Sequence, residues 1–103
     1  VLKLMLINLI GNAEKFKSKT TVISTDLIHG VPSVIVEDDG GGIKPENYDL
    51  IFTPFWQEDE SRTRNKNGKG IGLSIVKNIT LKYGWTISVD KSELGGAKFI
   101  ISF

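Results

Sequence analysis

Cysteine is absent from the sequence, which excludes disulfides and thiolate metal sites and fits a reducing compartment. There is one histidine, His29, followed by Gly30, where it reads as an exposed turn residue rather than a ligand or base. Neither sign of charge prevails: the net charge is +1, so there is no basic footprint for nucleic acid. No apolar run reaches the roughly 20 residues that span a bilayer. The apolar start is broken by Lys3, Asn8, Gly11 and Asn12 and lacks a small-residue cleavage site. Repeats, low-complexity tracts and proline-rich linkers are also missing. What is present suits one small globular domain, residues 1–103, with 40% hydrophobic and 24% charged residues. The chain opens directly in a helical pattern and stops on an apolar strand, as a domain excised from a longer protein would.

The most informative stretch is Val36–Ile43, VEDDGGGI. An apolar run (Val31, Val34, Ile35, Val36) ends in acids and then in Gly40, Gly41 and Gly42. This is the pattern of a strand that delivers a carboxylate to a site and then bends, with bare backbone open to a ligand.

Upstream, residues 2–16 predict a helix, with Leu2, Leu6, Leu9, Ala13 and Phe16 at helical spacing and Met5 and Ile10 widening the stripe. Asn8, Asn12 and Lys15 share another face. Asn is a mediocre helix former. The pair is therefore either solvated surface or a carboxamide held out for a hard cation, with Lys15 near phosphate. Residues 20–28 and 33–37 predict strands joined by the His29-Gly30 turn. Lys44-Pro45-Glu46-Asn47 predicts a helix start and a short helix to about Ile51. The cluster Phe52-Thr53-Pro54-Phe55-Trp56 is either core packing or an anchor for a movable loop or a docking surface. Residues 57–69 are wholly polar and predict a mobile basic segment. It leads into Gly68-Lys69-Gly70-Ile71-Gly72-Leu73, where alternate glycines open a helix carrying Ile71, Ile75 and Ile79, capped at Gly84. A helix start with glycine access suits an anion. Strands at 85–90 and 97–103 close the chain around Gly95-Gly96, and the last of them should be central in its sheet.

The order of these segments resembles the catalytic, ATP-binding domain of sensor histidine kinases, in the superfamily of gyrase and the heat-shock chaperone ATPases. Residues 8–16 resemble the family's N box, Asp38-Asp39-Gly40-Gly41-Gly42-Ile43 its first glycine box, Phe52-Thr53-Pro54-Phe55 its F box, and residues 68–73 its second glycine box. Gly95-Gly96-Ala97 resembles a shorter third box, with Ala97 where Thr is frequent.

The resemblance implies an α/β two-layer sandwich, a mixed β-sheet with helices packed on one face. It implies ATP and Mg2+ as cofactors, with Asn12 as metal ligand and Asn8 and Lys15 in the catalytic group. The nucleotide would be bound by Asn8, Asn12, Lys15, Phe16, Asp38, Gly40, Gly42, Ile43, Arg62, Lys69, Gly70, Ile71, Gly72 and Leu73. Register from Gly42-Ile43 makes Asp38 the adenine reader, leaves Asp39 a turn residue and makes Gly41 a passenger. ATPases of the superfamily usually carry Glu as general base one turn before the metal-binding Asn. Asn8 stands there, and an amide is no useful base near neutral pH.

The implied activity is therefore protein-histidine kinase: transfer of the γ-phosphoryl group to a histidine on a separate dimerisation domain, in two-component signal transduction. A non-catalytic nucleotide-sensing module and a hydrolysing ATPase are the alternatives. The implied partners are that dimerisation domain and a downstream response regulator receiver domain, in a homodimeric full-length protein. No nucleic acid or membrane contact is expected of this segment. It would be cytoplasmic, in a longer protein that could be anchored in the inner or plasma membrane.

Overall fold

The computed structural model describes residues 1–15, 19–56 and 72–103, without the side chains of residues 13–15. Among the described residues there are two helices and four strands, in the order α1 (Leu2–Lys15), β1 (Thr21–Ile28), β2 (Val31–Asp38), α2 (Gly72–Tyr83), β3 (Thr86–Lys91) and β4 (Ala97–Ser102).

The strands form one sheet in the order β1-β2-β4-β3. The terminal strand β4 is central, as its apolar character predicts. All three pairings are antiparallel, so the described sheet is not the mixed sheet expected. Two hairpins account for this. β1 and β2 join through His29 and Gly30, both at positive φ (51° and 78°), and β3 and β4 join through the turn containing Gly95. Hairpin partners are antiparallel by construction, and β2 and β4 then meet antiparallel as well.

Period-2 alternation divides the sheet into two faces. Val34 and Val36 of β2 pair with Ile101 and Phe99 of β4, and Ile87 of β3 lies beyond Ile101. These side chains form the core with Met5 and Leu9 of α1, Leu73 and Val76 of α2, and Ile43 and Ile51 from the connecting segment. Both helices thus lie on one face, α1 against β2 and α2 against β3, in contact with each other. This is the two-layer arrangement the sequence implies.

The buried side of α1 differs from the expected stripe. Met5 and Leu9 are fully enclosed, whereas Leu2 is exposed along with Leu4 and Ile7. Apolar residues surround this helix, so spacing alone could not select the inward side. In α2 the buried positions are Leu73, Ser74, Val76 and Thr80, with Ile79 packed beside the core. The helix ends as expected: Gly84 takes φ +72°, Gly84 N donates to Leu81 O and Trp85 N donates to Thr80 O at 2.8 Å. Trp85 stacks on Tyr83 and meets Phe103 edge-on, closing the end of the sheet remote from Asp38.

The short helix expected after Pro45 is a single 3-10 turn, Pro45–Asn47, followed by successive turns to Trp56. Its bonds are nearly all of the i to i+3 kind, such as Tyr48 N to Pro45 O and Thr53 N to Leu50 O. Pro54 has no N–H with which to prolong a helix. Phe52 packs edge-on against Phe99, and Trp56 lies against the core. The aromatic cluster is therefore divided, because Phe55 is 73% exposed and takes φ +66°.

Candidate nucleotide site

Asp38 closes β2 on the helix-covered face, in line with Val34 and Val36. It is 2% exposed. Its Oδ1 accepts from Gly40 N at 2.9 Å and from Ala97 N at 3.3 Å. Its main-chain oxygen accepts from Gly96 N at 3.0 Å. Among the described residues both side-chain bonds fall on Oδ1, so Oδ2 is the carboxylate oxygen left for a ligand. A buried carboxylate with one oxygen fixed by backbone donors is oriented before a ligand arrives.

The neighbouring acid has a different task. Asp39 Oδ1 accepts from Lys19 N at 2.7 Å and Thr20 N at 2.9 Å, and Asp39 N donates to Thr20 O. It ties the end of β2 to the entrance of β1. Alternation along the strand sends the two carboxylates to opposite sides, Asp38 to the helix-covered face and Asp39 to the other.

The glycines divide similarly. Gly42 takes φ +73° and lies against the backbone of Gly95 and Gly96, whereas a Cβ on Gly41 would meet nothing within 4 Å. Gly96 is not among the expected binding residues, although Gly95-Gly96-Ala97 resembles a third glycine box. A Cβ there would overlap the Asp38 carboxylate and stand 2.7 Å from Gly40 N. This glycine lets two turns, 38–42 and 92–96, meet over one carboxylate. Sequence could signal the Gly-Gly pair, but not that it faces Asp38.

The N box lies across the core from that carboxylate's strand. Asn8 and Asn12 flank the Met5–Leu9 seam of α1, both half-buried. Asn8 Nδ2 donates to Leu4 O at 2.8 Å, and Asn8 Oδ1 would be 3.1 Å from a Cβ on Gly72. The missing side chain at Gly72 therefore seats the start of α2 against α1. Asn12 Nδ2 is buried without a hydrogen-bond partner among the described atoms. A buried orphan amide points to a missing partner. The amide's nitrogen and oxygen are interchangeable in placement, and turning it over puts an acceptor at that position.

Ile43 and Leu73 lie in the hydrophobic core. Lys15 ends α1, its side chain outside the described residues. Phe16, Arg62, Lys69, Gly70 and Ile71 also lie outside them, as does the expected mobile basic segment 57–69. Among the described residues no cluster of three or more His, Cys, Asp or Glu could hold a metal ion, and no helix is long and apolar enough to cross a membrane.

Comparison with known proteins agrees with this fold. The sensor protein RstB of Escherichia coli K12 is 47% identical over 96 residues, 93% of this chain and 22% of RstB. The chain thus spans about a fifth of the length of the curated relatives it matches. The mycobacterial sensor histidine kinase MprB superposes with a TM-score of 0.79 at 27% identity, covering 97% of this chain and 67% of that one. Full-length ShkA, solved in complex with AMPPNP, superposes with a TM-score of 0.76 at 31% identity, covering 98% of this chain and 20% of that one. Residues 1–103 as a whole match the family described as histidine kinase-, DNA gyrase B- and HSP90-like ATPase, and the chain belongs to that family, among relatives named as sensor histidine kinases.

Proposed function

We propose that this chain is the ATP-binding catalytic domain of a sensor histidine kinase, binding Mg-ATP and passing the γ-phosphoryl group to a histidine on a dimerisation domain of the same protein. The observation that carries the reading is Asp38. Its Oδ1 is held by two backbone N–H groups and its Oδ2 is left to accept, at the meeting point of two glycine turns. Adenine presents an exocyclic amine, which donates. Guanine presents a carbonyl oxygen at the corresponding place, which a carboxylate repels. A buried charged group left unpaired costs roughly 1–3 kcal/mol or more, which is the source of base discrimination. The AMPPNP complex of ShkA favours ATP as the ligand here as well.

Asn12 fits a magnesium site, since turning its orphaned amide over places an oxygen acceptor where no protein group is bonded. Mg2+ commonly takes one or two protein ligands and completes its shell with phosphates and water, consistent with the lack of an acidic cluster among the described residues. When bound, the ion would offset charge on the phosphates. The chain's own part is to hold the base on Asp38 and to orient the phosphates between α1 and the start of α2. Lys15, Arg62 and Lys69 are the proposed phosphate contacts.

Asn8 supports transfer over hydrolysis. Its amide is engaged with Leu4 O and packed against Gly72, and it has no basic site with which to activate water. An imidazole acceptor is already nucleophilic and needs less help. The partners proposed are the histidine-bearing dimerisation domain, in a homodimer, and a downstream response regulator receiver domain. The test is calorimetric titration with Mg-ATP, followed by phosphotransfer to an added dimerisation domain. The expected result is saturable ATP binding that Asp38→Asn weakens at least about tenfold, with slow phosphate release when no acceptor is present. Absence of ATP binding would sink the reading.

A further inference from the structure

We infer that Glu37 and Ser92 are positioning residues for adenine recognition: they fix the β3–β4 turn so that Gly96 and Ala97 can hold Asp38. The inference rests on the reading of Asp38 as the adenine acceptor.

Glu37 and Asp38 are consecutive, so strand alternation sends them to opposite faces. Glu37 stands outward, in register with Lys98 of β4. Its Oε1 accepts from Ser92 Oγ at 3.0 Å, and Ser92 Oγ in turn accepts from Leu94 N at 3.0 Å. The main chain of Ser92 engages the same turn twice: Gly95 N donates to Ser92 O at 3.0 Å and Ser92 N donates to Gly96 O at 2.9 Å. At the other end of the turn Gly96 N and Ala97 N donate to Asp38. Two consecutive residues of β2 therefore grip the two ends of one five-residue turn, Glu37 through Ser92 and Asp38 through Gly96 and Ala97.

The turn needs such a restraint. Gly95 takes φ +107°, and two adjacent glycines give the backbone little preference of its own. The β3–β4 ladder stops at Lys91 and Ala97. Ser92 is only 8% exposed, so its hydroxyl relies on Glu37 and Leu94 rather than on solvent. The contact from Ala97 N to Asp38 Oδ1 is already 3.3 Å. A small displacement of the turn would break it and let the carboxylate rotate. Ser92 would thus govern the direction of Oδ2 without touching the nucleotide.

The test titrates the wild-type chain, Ser92→Ala, Ser92→Thr and Glu37→Gln with ATP, GTP and inorganic tripolyphosphate. Ser92→Ala is expected to weaken ATP binding about tenfold and to narrow the ATP-to-GTP ratio, the usual scale for losing a charge-assisted bond. Tripolyphosphate affinity stays unchanged, because the phosphates bind away from this turn. Ser92→Thr restores the hydroxyl and the selectivity. Glu37→Gln keeps an acceptor without its charge and loses about threefold. Equal losses for ATP and tripolyphosphate, or a lower melting temperature with an unchanged ATP-to-GTP ratio, would overturn the inference. If Ser92→Ala does not fold, the same ratio in Glu37→Gln decides it, and a wild-type ratio there overturns it. A wild-type chain that binds tripolyphosphate but does not prefer ATP overturns the adenine reading of Asp38, and this inference with it.

Discussion

Gly96 and Asp38 are packed so closely that no side chain fits between them: Gly96 N donates to Asp38 O at 3.0 Å, and a Cβ on Gly96 would overlap the carboxylate. The obstacle includes backbone, at Asp38 O and Gly40 N, and not merely a flexible tip. Gly96→Ala should therefore separate the two glycine turns. The expected cost is about 1–3 kcal/mol of stability, as for other overpacked sites, with ATP binding lost. Gly41→Ala is the control, with nothing near it, and should stay within about 0.5 kcal/mol of wild type. Thermal melts and ATP titrations of the two variants check this, and similar behaviour of both would refute it.

The two adjacent acids should separate affinity from stability. Asp38→Asn replaces an acceptor-only group and is expected to lower ATP affinity at least tenfold with little change in fold. Asp39→Asn weakens the bonds to Lys19 N and Thr20 N. It should cost about 1 kcal/mol of stability while leaving ATP affinity near wild type. Calorimetry on both distinguishes them, and equal losses of affinity would show that the register is wrong.

Gly72 and Asn8 form the second close approach, 3.1 Å from the site of a Cβ to Asn8 Oδ1. Gly72→Ala should lower stability by about 1 kcal/mol or more, since Asn8 is held by its bond to Leu4 O. Shortening the opposing side chain with Asn8→Ser should recover part of that loss. A double-mutant cycle read by denaturant unfolding measures the coupling. Strict additivity would mean that the contact carries no energy.

Phe52 joins the connecting segment to the core by its edge-on contact with Phe99, and Lys77 Nζ lies 5.8 Å from its ring centre. Phe52→Ala should cost about 2–4 kcal/mol, toward the lower side of aromatic truncations because the ring is only half-buried. Phe55→Ala should cost far less, because that ring is exposed. A chemical denaturation series on the two variants tests the distinction. Equal destabilisation would place Phe55 in the core as well.

Much of the fold was legible because its signals are local. The positive-φ turn at His29-Gly30, the Gly84 cap and the β4 alternation each follow from a few neighbouring residues. Counting back from Gly42-Ile43 sets Asp38 apart from Asp39, and in the structure strand alternation turns only one of the two toward the core. The helix expected after Pro45 is only a turn, because Pro and Glu at a helix start say where a helix can begin, not how far it continues. The described strands pair antiparallel rather than in a mixed sheet, because pairing direction is a property of which strands meet. Gly96 falls outside the expected site because nothing near it in sequence names its partner.

The sequence by itself determined the two long helices, the four strands and the order of the motifs, because helical and extended periodicity are local properties of the chain. The tertiary structure decided which side of α1 is buried. Leu2, Leu4 and Ile7 are as apolar as Met5 and Leu9, yet only the latter two reach Val36 and Phe99 in the core. It also decided that residues 38 and 96 share one hydrogen-bonded junction. Such contacts join positions 58 residues apart, and burial at one site depends on which distant surface arrives to cover it.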